Sequence, residues 1–210
     1  MNEQTEQAKA LLTKEALSGD HPDYDQLHQG VDGTALRHKA VMELMTSNYG
    51  GVPPVLVDFG CGTALLLKSL AEGKYGLPER YVGVDFLDIR REKVEERIEK
   101  YVGGNGVFIC TDDVDEVVSM MSESNQEKAM LVAIGIMGYR GLHTLRHISN
   151  QFNKLRKAFP RGIVTVPRHL PDRLGEADMA RYDPDDLAAN LSANSFRFRS
   201  IHTDAIVHWG

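Results

Sequence analysis

The stretch Val55–Ala64 reads VLVDFGCGTA and decides the fold of the chain. Its first five residues are apolar except for Asp58, as expected for a strand that is buried on both faces of a parallel sheet. Gly60 and Gly62 follow at once, and glycine permits the positive φ angles and the close backbone approach that a ligand-binding turn requires. An apolar helix comes next, and its first N–H groups point into the same space. This order of strand, Gly-x-Gly turn and helix predicts a ligand site over the turn.

Strands alternate with helices through the rest of the chain. Strands are predicted at 55–59, 81–85, 107–110, 130–134, 162–166, 196–203 and 205–209, and helices at 64–71, 88–101, 113–121, 142–159 and 184–194. Such alternation indicates a parallel sheet that is covered by helices on both faces. The last two strands are too close together for a crossover helix, so that pair must be antiparallel. We therefore expect an α/β fold with a mostly parallel seven-stranded sheet and an antiparallel last strand.

The N-terminal part of the chain differs from the rest because it contains no predicted strand. Helices are predicted at 6–16 and 34–45, and the stretch HPDYD at 21–25 between them is rich in turn formers. We interpret residues 1–50 as an N-terminal helical lid or cap, and residues 51–210 as the ligand-binding domain.

Composition and charge restrict the class of protein. The chain has 210 residues, of which 42% are hydrophobic and 26% charged, an ordinary globular mixture. No apolar run approaches the roughly 18 residues of a membrane span, and residues 1–20 contain no signal-peptide core, so we expect a cytoplasmic protein without a membrane partner. The net charge is −6, and the absence of a basic stripe argues against a nucleic-acid partner.

The motif Asp58-x-Gly60-x-Gly62-x-Ala64 resembles motif I of the class I S-adenosylmethionine-dependent methyltransferases. The resemblance implies a three-layer Rossmann-like sandwich and S-adenosylmethionine as the cofactor. It also implies that the loop containing Gly60, Cys61 and Gly62 wraps the methionine part of the cofactor, and that Asp58 assists directly or through water. The family usually has Gly or Ala at the last position, so Ala64 is compatible with it.

The position that follows this motif separates two kinds of adenosine-containing ligand. A dinucleotide-binding turn requires a third glycine three residues after the second, for close packing of helix on strand. That position is Leu65, which would crowd the packing. The sequence therefore favours the methyltransferase interpretation over a nicotinamide-dependent oxidoreductase.

A carboxylate ends the second strand. Asp85 lies 23 residues after Gly62, close to the spacing of roughly 20 expected for a ribose-binding acid. A carboxylate can accept two hydrogen bonds, which suits a ribose diol, and the stretch Tyr81–Asp85 resembles motif II of the methyltransferases. We place Asp85 and the adjacent Phe86 in the cofactor site. The alternative for Asp85 is a solvated acid or the cap of the next helix.

The third and fourth strands are also followed by candidate cofactor residues. Asp112 matches the place where the methyltransferase family has an acid that accepts a hydrogen bond from the adenine amino group. Asp113 is the competing candidate, and the alternative is that one of the two acids only caps the following helix. Gly135, directly after the fourth strand, completes the predicted cofactor site.

The acceptor side of the site is less well defined. Tyr139 follows the fourth strand, where many methyltransferases of this family contact the acceptor, although a half-buried aromatic residue is an equal alternative. His169 lies in the long connection 167–182, and long loops in compact domains are often functional. These two are the candidates for a catalytic role. Neither the Asp/Asn-Pro-Pro-aromatic motif of base-amino methyltransferases nor a Pro-Cys nucleophile is present.

Further basic residues and histidines have ordinary explanations beside the functional ones. Arg37 and Lys39 lie on the second N-terminal helix, where relatives direct a basic group at the methionine carboxylate, but a solvated helix face is an equal alternative. His143 and His147 are spaced as one half of a metal site. No third ligand follows with a recognisable spacing, so we predict no metal.

The resemblance, which covers roughly residues 50–210, implies an S-adenosylmethionine-dependent methyltransferase. We expect methyl transfer in line to an oxygen or nitrogen of a small-molecule acceptor. The sequence leaves two alternatives open, a non-catalytic binding subunit of the same fold and an oxidoreductase that uses NAD. It is compatible with a homodimer.

Overall fold

A computed structural model of the chain describes residues 10, 30–135, 145–167, 184–191, 196–201 and 204–210. The elements in chain order are α1 (Gly30–Tyr49), β1 (Val55–Phe59), α2 (Leu65–Glu72), β2 (Arg80–Asp85), a 3-10 turn (Asp88–Arg90), α3 (Arg91–Val102), a second 3-10 turn (Gly103–Asn105), β3 (Gly106–Cys110), α4 (Val114–Ser119), α5 (Glu123–Lys128), β4 (Ala129–Ala133), α6 (Leu145–Ala158), β5 (Arg161–Pro167), α7 (Pro184–Asn190), β6 (Arg197–Ile201) and β7 (Asp204–Trp209).

The seven strands form one sheet in the order β3-β2-β1-β4-β5-β7-β6. Strands β1 to β5 pair in parallel, and β7 runs antiparallel to both of its neighbours, β5 and β6. The prediction of a mostly parallel sheet with an antiparallel last strand is therefore confirmed. The direction of strand succession reverses between β1 and β4, and in open α/β sheets this switch point is where ligands bind, beyond the carboxyl ends of the strands.

Helices cover both faces of the sheet and give the three layers that the sequence predicts. Helices α1, α2 and α3 bury apolar side chains on one face, including Val41, Leu44, Leu67, Leu70, Val94 and Ile98. Helices α4, α6 and α7 do the same on the other face, with Val114, Val117, Phe152, Leu155 and Leu187. Burial of these side chains against the central strands stabilises the sandwich.

Helix α1 belongs to the layer that covers the sheet. It is longer at both ends than the predicted helix at 34–45. Five apolar residues in its second half are buried: Ala40, Val41, Met42, Leu44 and Met45. The boundary drawn at residue 50 therefore separates a helix from the sheet against which it packs. The predicted helix at 6–16 and the turn at 21–25 lie outside the described residues apart from residue 10, so the N-terminal lid or cap at 1–50 stays a prediction.

Helix α5 was not predicted from the sequence. Its sequence ESNQEK contains no apolar residue and therefore no hydrophobic period, and none of its side chains is buried. The amide of Gln126 instead attaches the helix to the preceding turn, because its Nε2 donates to the carbonyls of Val118 (2.9 Å) and Met121 (3.0 Å). The helix predicted at 113–121 is α4, which begins at Val114 and ends at Ser119. Among the described residues, no helix combines the length and the apolar character of a membrane span.

Gly162 on β5 is required by the aromatic side chain beside it, and this gives a first testable prediction. Gly162 is in register with Trp209 on β7, and a Cβ at this position would lie 2.1 Å from Trp209 Cζ2. The indole Nε1 of Trp209 donates to the Phe159 carbonyl (3.0 Å), which fixes the ring. We expect Gly162→Ala to lower the free energy of unfolding by about 1–3 kcal/mol, the usual cost of overpacking, in urea denaturation.

The matched control for this substitution is Gly104→Ala. No atom lies within 4 Å of a Cβ at Gly104, so this variant is expected to be neutral or slightly stabilising. If Gly162→Ala unfolded at the same urea concentration as the wild type, Trp209 would have to move aside at little cost, and the requirement for glycine would be wrong.

Candidate functional site

The glycine turn after β1 has the backbone conformation that its sequence predicts. The φ angles are +78° at Gly60 and +55° at Gly62, values that glycine adopts without steric cost. Ala64, the residue before α2, also lies in the left-handed region, with φ +57° and ψ +41°. A residue with a Cβ pays roughly 1–2 kcal/mol for this conformation. The turn therefore contains one strained residue at the position where the methyltransferase motif has Gly or Ala.

Backbone hydrogen bonds attach this turn to the end of β2. The N–H groups of Gly60 and Cys61 both donate to the Val84 carbonyl, at 2.7 and 2.9 Å, and the Ala64 N–H donates to the Cys61 carbonyl at 2.8 Å. The Cys61 side chain is buried beneath the turn, and its Sγ would lie 3.2 Å from a Cβ at Gly83. Cys61 therefore contributes packing below the turn, and it presents only backbone to a ligand above it.

Asp85 joins the turn to the end of β2. Its Oδ2 accepts a hydrogen bond from the Gly62 N–H (2.9 Å), and its Oδ1 accepts one from the Leu87 N–H (2.9 Å). The carboxylate is buried, and Nη1 of Arg90 lies 3.9 Å from Oδ2. The two backbone bonds, one to each carboxylate oxygen, fix the orientation of the Asp85 side chain. The bond to Leu87 shows that Asp85 also orders the turn that follows β2.

Asp58 is buried and bound by a tyrosine that the sequence analysis did not connect with it. The Tyr81 hydroxyl donates to Asp58 Oδ2 at 2.7 Å, and both side chains are at most 3% exposed. Gly83 lies between Tyr81 and Asp85 on the same face of β2, and a Cβ there would come within 3.1 Å of the Tyr81 ring. The glycine at 83 was the available signal, because it leaves the space through which Tyr81 reaches Asp58.

The two acids after β3 have different surroundings. Asp113 is the N-cap of α4, and its Oδ1 accepts a hydrogen bond from the Asp115 N–H at 3.0 Å. Lys154 Nζ lies 2.9 Å from a carboxylate oxygen of Asp113 and 2.9 Å from one of Asp115. The hydrogen bond from Lys154, with that from the Asp115 backbone, lowers the pKa of Asp113 below its usual value. Asp113 therefore caps α4, Asp112 beside it is exposed, and the contact of one of these acids with adenine stays a prediction.

The ends of β2, β3, β4 and β5 are connected to each other at this edge of the sheet. The Thr111 N–H donates to the Asp85 carbonyl (3.0 Å), and the Gly135 N–H donates to Oγ1 of the buried Thr165 (2.9 Å). Phe86 is half-buried, and its carbonyl accepts from the Cys110 thiol. Among the described residues, the glycine turn after β1, the end of β2, the start of the loop after β3 and Gly135 after β4 therefore lie along the same edge of the sheet.

The remaining candidate residues either have partners within the protein or lie outside the described residues. Arg37 is buried and forms a two-point ion pair with Asp204, the first residue of β7, and Lys39 is exposed and lies 3.9 Å from Glu43. Each of the two basic residues therefore has a carboxylate partner within the protein. Tyr139, His143 and His169 lie outside the described residues, as does the side chain of His147.

Comparison with known sequences gives little. No protein-family model matches the chain. The DNA-directed RNA polymerase subunit beta of Rickettsia bellii is 25% identical over 121 residues, which is 57% of this chain. The chain spans only 8% of the length of that protein, a share too small to transfer a function from one to the other.

Comparison with solved structures gives a consistent result for the fold. Magnesium protoporphyrin IX methyltransferase from Synechocystis PCC 6803, with bound SAH, superposes with a TM-score of 0.61 over 84% of this chain and 83% of that chain, at 13% identity. An O-methyltransferase family protein from Burkholderia thailandensis has a TM-score of 0.54 at 11% identity, over 85% of this chain and 57% of that one.

The chain has the fold of the class I S-adenosylmethionine-dependent methyltransferases. The small RNA methyltransferase HEN1 shares this fold as well, with a TM-score of 0.62 and 14% identity over 84% of this chain and 25% of that chain. These neighbours thus include methyltransferases that are named for a small molecule and for RNA. At these identities the likeness establishes the architecture, and the chemistry has to be argued from the residues of this chain.

Proposed function

We propose that this protein is an S-adenosylmethionine-dependent methyltransferase that transfers a methyl group to an oxygen or nitrogen of a small-molecule acceptor. The observation that carries the proposal is the hydrogen bond from the Gly62 N–H to the Asp85 carboxylate. It places the glycine turn and the acid after β2 side by side at the switch point, as a ligand with a ribose and an amino-acid part requires. A cytoplasmic location belongs to the same proposal.

The residues at this edge fit the groups of the cofactor. Asp85 would accept hydrogen bonds from the ribose hydroxyls, because it is a buried carboxylate whose orientation is fixed beside the glycine turn. The backbone of Gly60–Gly62 would surround the methionine part. Asp112 would accept from the adenine amino group, since Asp113 is engaged by α4 and Lys154. Phe86 and Gly135 would line the site at the ends of β2 and β4.

Methyl transfer requires little of the protein beyond alignment of the cofactor and the acceptor. When bound, the cofactor supplies an electrophilic methyl group on a sulfonium. Binding of both reactants in line by this chain would remove much of the entropic barrier, up to roughly 7–11 kcal/mol in ideal cases. A general base is required only for an acceptor that must lose a proton, and Tyr139 and His169 remain the candidates for that role. The absence of a nucleophile motif from the sequence is therefore consistent with the proposal.

The strongest competing activity is that of an NAD-dependent oxidoreductase. Leu65 opens α2 where a dinucleotide-binding turn has its third glycine, and its side chain is half-buried there. A smaller residue would be needed for the close approach of helix and strand that the dinucleotide motif uses. The site geometry thus supports the adenosylmethionine ligand over the dinucleotide.

The test is calorimetric titration of the full chain with S-adenosylmethionine, S-adenosylhomocysteine and NAD. We expect the two adenosyl compounds to bind and NAD not to bind. Asp85→Ala should weaken them roughly ten- to hundredfold, because a hydrogen bond to a charged group contributes about 1.5–3 kcal/mol. Asp88→Ala is the matched control, since the Asp88 carboxylate is exposed and pairs with Arg91 at 2.7 Å. The control should bind like the wild type.

Each other result has a definite meaning. Binding of NAD alone would replace the proposal by the oxidoreductase. Binding of S-adenosylmethionine without methyl transfer to any small-molecule acceptor would indicate a non-catalytic binding subunit. Transfer of labelled methyl groups only to RNA would retain the methyltransferase and overturn the small-molecule acceptor. Equal affinities for Asp85→Ala and Asp88→Ala would refute the ribose role of Asp85.

A further inference from the structure

Arg97 on α3 reaches the glycine turn through Thr63. Its Nη1 donates to both the carbonyl and the Oγ1 of Thr63, the latter at 2.6 Å, across 34 residues of sequence. Thr63 is buried, and Arg97 is half-buried. The sequence of α3 is REKVEERIEKYV, in which Arg97 is one of many charged residues. Nothing in that pattern distinguishes Arg97 from a solvated residue.

The carbonyl that Arg97 binds belongs to the peptide between Thr63 and Ala64. The N–H of the same peptide donates to the Cys61 carbonyl at 2.8 Å, so both polar groups of this peptide plane are fixed. The plane leads into Ala64, which has the strained left-handed conformation. Rotation of the peptide would relieve that strain, and the two fixed groups oppose the rotation.

The Cys61–Gly62 peptide, two before it in the chain, connects the same turn to Asp85. Gly62 donates its N–H to the Asp85 carboxylate, and Thr63 follows it directly. A change in the Thr63–Ala64 peptide would therefore displace the donor that orients Asp85. It would also re-aim the first N–H groups of α2, which begins at Leu65.

We infer that Arg97 is a positioning residue for the proposed cofactor site: it keeps the glycine turn in its binding conformation through Thr63 and does not touch the ligand itself. The inference rests on the proposed function for the identity of the ligand. Its physical content, that the bonds from Arg97 order the turn, is independent of that identity. Arginine suits the role because its charge persists at any working pH and its planar group presents donors in a fixed geometry.

The experiment compares Arg97→Met and Arg97→Lys with Lys100→Met in the full chain. Lys100 is on the same helix and is exposed, its Nζ lying 5.2 Å from the centre of the Tyr101 ring, so its substitution removes an equal charge without touching the turn. We expect Arg97→Met to weaken the binding of S-adenosylhomocysteine by roughly tenfold, Arg97→Lys to recover part of the affinity, and Lys100→Met to leave it unchanged.

Amide hydrogen exchange of the unliganded proteins provides the second readout. In Arg97→Met the amides of Gly62 and Ala64 should exchange about tenfold faster than in the wild type and in Lys100→Met, because local opening of the turn is no longer opposed. Unchanged exchange of these two amides would overturn the inference. So would unchanged affinity in a variant that has only a lower melting temperature, because the role would then be structural.

The two readouts separate this inference from the proposed function. If the wild type does not bind S-adenosylhomocysteine, the proposed function fails, and faster exchange in Arg97→Met still shows that Arg97 orders the turn. If the wild type binds and all three variants bind equally, the proposed function stands and the role of Arg97 is wrong.

Discussion

Replacement of Asp204 by alanine is expected to lower the free energy of unfolding by about 3–5 kcal/mol, the largest loss that we predict for a single residue of this chain. Asp204 is 1% exposed and accepts from both Nε and Nη2 of Arg37, itself 8% exposed. The substitution leaves the guanidinium charge in its buried place without the carboxylate that balances it. Urea denaturation followed by circular dichroism measures the loss.

The position of this ion pair explains why its loss should weaken more than one contact, because the pair connects a helix to the sheet. Asp204 is in register with Pro167, so it lies at the carboxyl end of β5, on the edge of the sheet that carries the proposed site. Arg37 lies in the first half of α1. The pair therefore attaches α1, which lies within the predicted N-terminal lid at 1–50, to the ligand edge of the sheet.

An exposed ion pair on the same helix provides the control. Lys39 and Glu43 lie 3.9 Å apart with side chains 65% and 45% exposed, and Glu43→Ala is expected to cost at most about 0.5 kcal/mol. The double variant Arg37→Met, Asp204→Leu should recover most of the stability, because no buried charge remains unbalanced. If Asp204→Ala cost no more than Glu43→Ala, the buried pair would contribute as little as a surface pair.

The sheet and the glycine turn could be predicted from the sequence because their signals are local. A run such as Val55–Phe59 is apolar for the length of a strand, and Gly60 and Gly62 follow it at once. The acid at the end of β2 was predictable from its spacing to Gly62, and the structure brings the two into contact. In each case the residues that carry the signal are neighbours in the chain or on adjacent parallel strands.

The contacts that orient these residues could not be predicted, because their partners are remote in sequence. Arg37 and Asp204 are separated by 167 positions, and Arg97 and Thr63 by 34. A single charged residue on a helix has the same local pattern whether it faces water or reaches a turn. Arg37 was therefore a candidate for a ligand carboxylate in the sequence, and only the structure supplies the buried carboxylate that it binds.

A buried histidine should make the stability of the protein depend on acid. His38 on α1 is 6% exposed, and its Nδ1 lies 2.8 Å from Oγ of Ser69 on α2. Burial, with the positive charge of Arg37 as a smaller cause, lowers the pKa of His38 from 6.5 to about 4. The imidazole is therefore neutral in the folded protein at pH values where the same group in the unfolded chain is protonated.

The direction of the pH dependence follows from proton uptake. Between pH 6.5 and 4 the unfolded chain binds a proton at His38 that the folded protein does not, so stability increases with pH in this window. The contribution of the neutral His38 to the free energy of unfolding is complete above pH 6.5 and falls as the pH decreases towards 4. A pKa difference of this size corresponds to about 3 kcal/mol between the two limits. His208, whose pKa is lowered by burial and by Arg197 and Arg199, should add to the loss in the same direction.

Urea denaturation at intervals from pH 4 to 7.5 tests this expectation with two variants that separate burial from hydrogen bonding. His38→Gln removes the titrating group, so its stability should vary less between pH 4 and 6.5 than that of the wild type. Ser69→Ala removes the hydrogen bond but keeps the imidazole buried, and because burial is the larger cause of the lowered pKa, this variant should retain the acid sensitivity. Parallel pH profiles for the wild type and His38→Gln would mean that the pKa of His38 does not differ between the folded and the unfolded protein. Other groups, His208 among them, would then determine the response to acid.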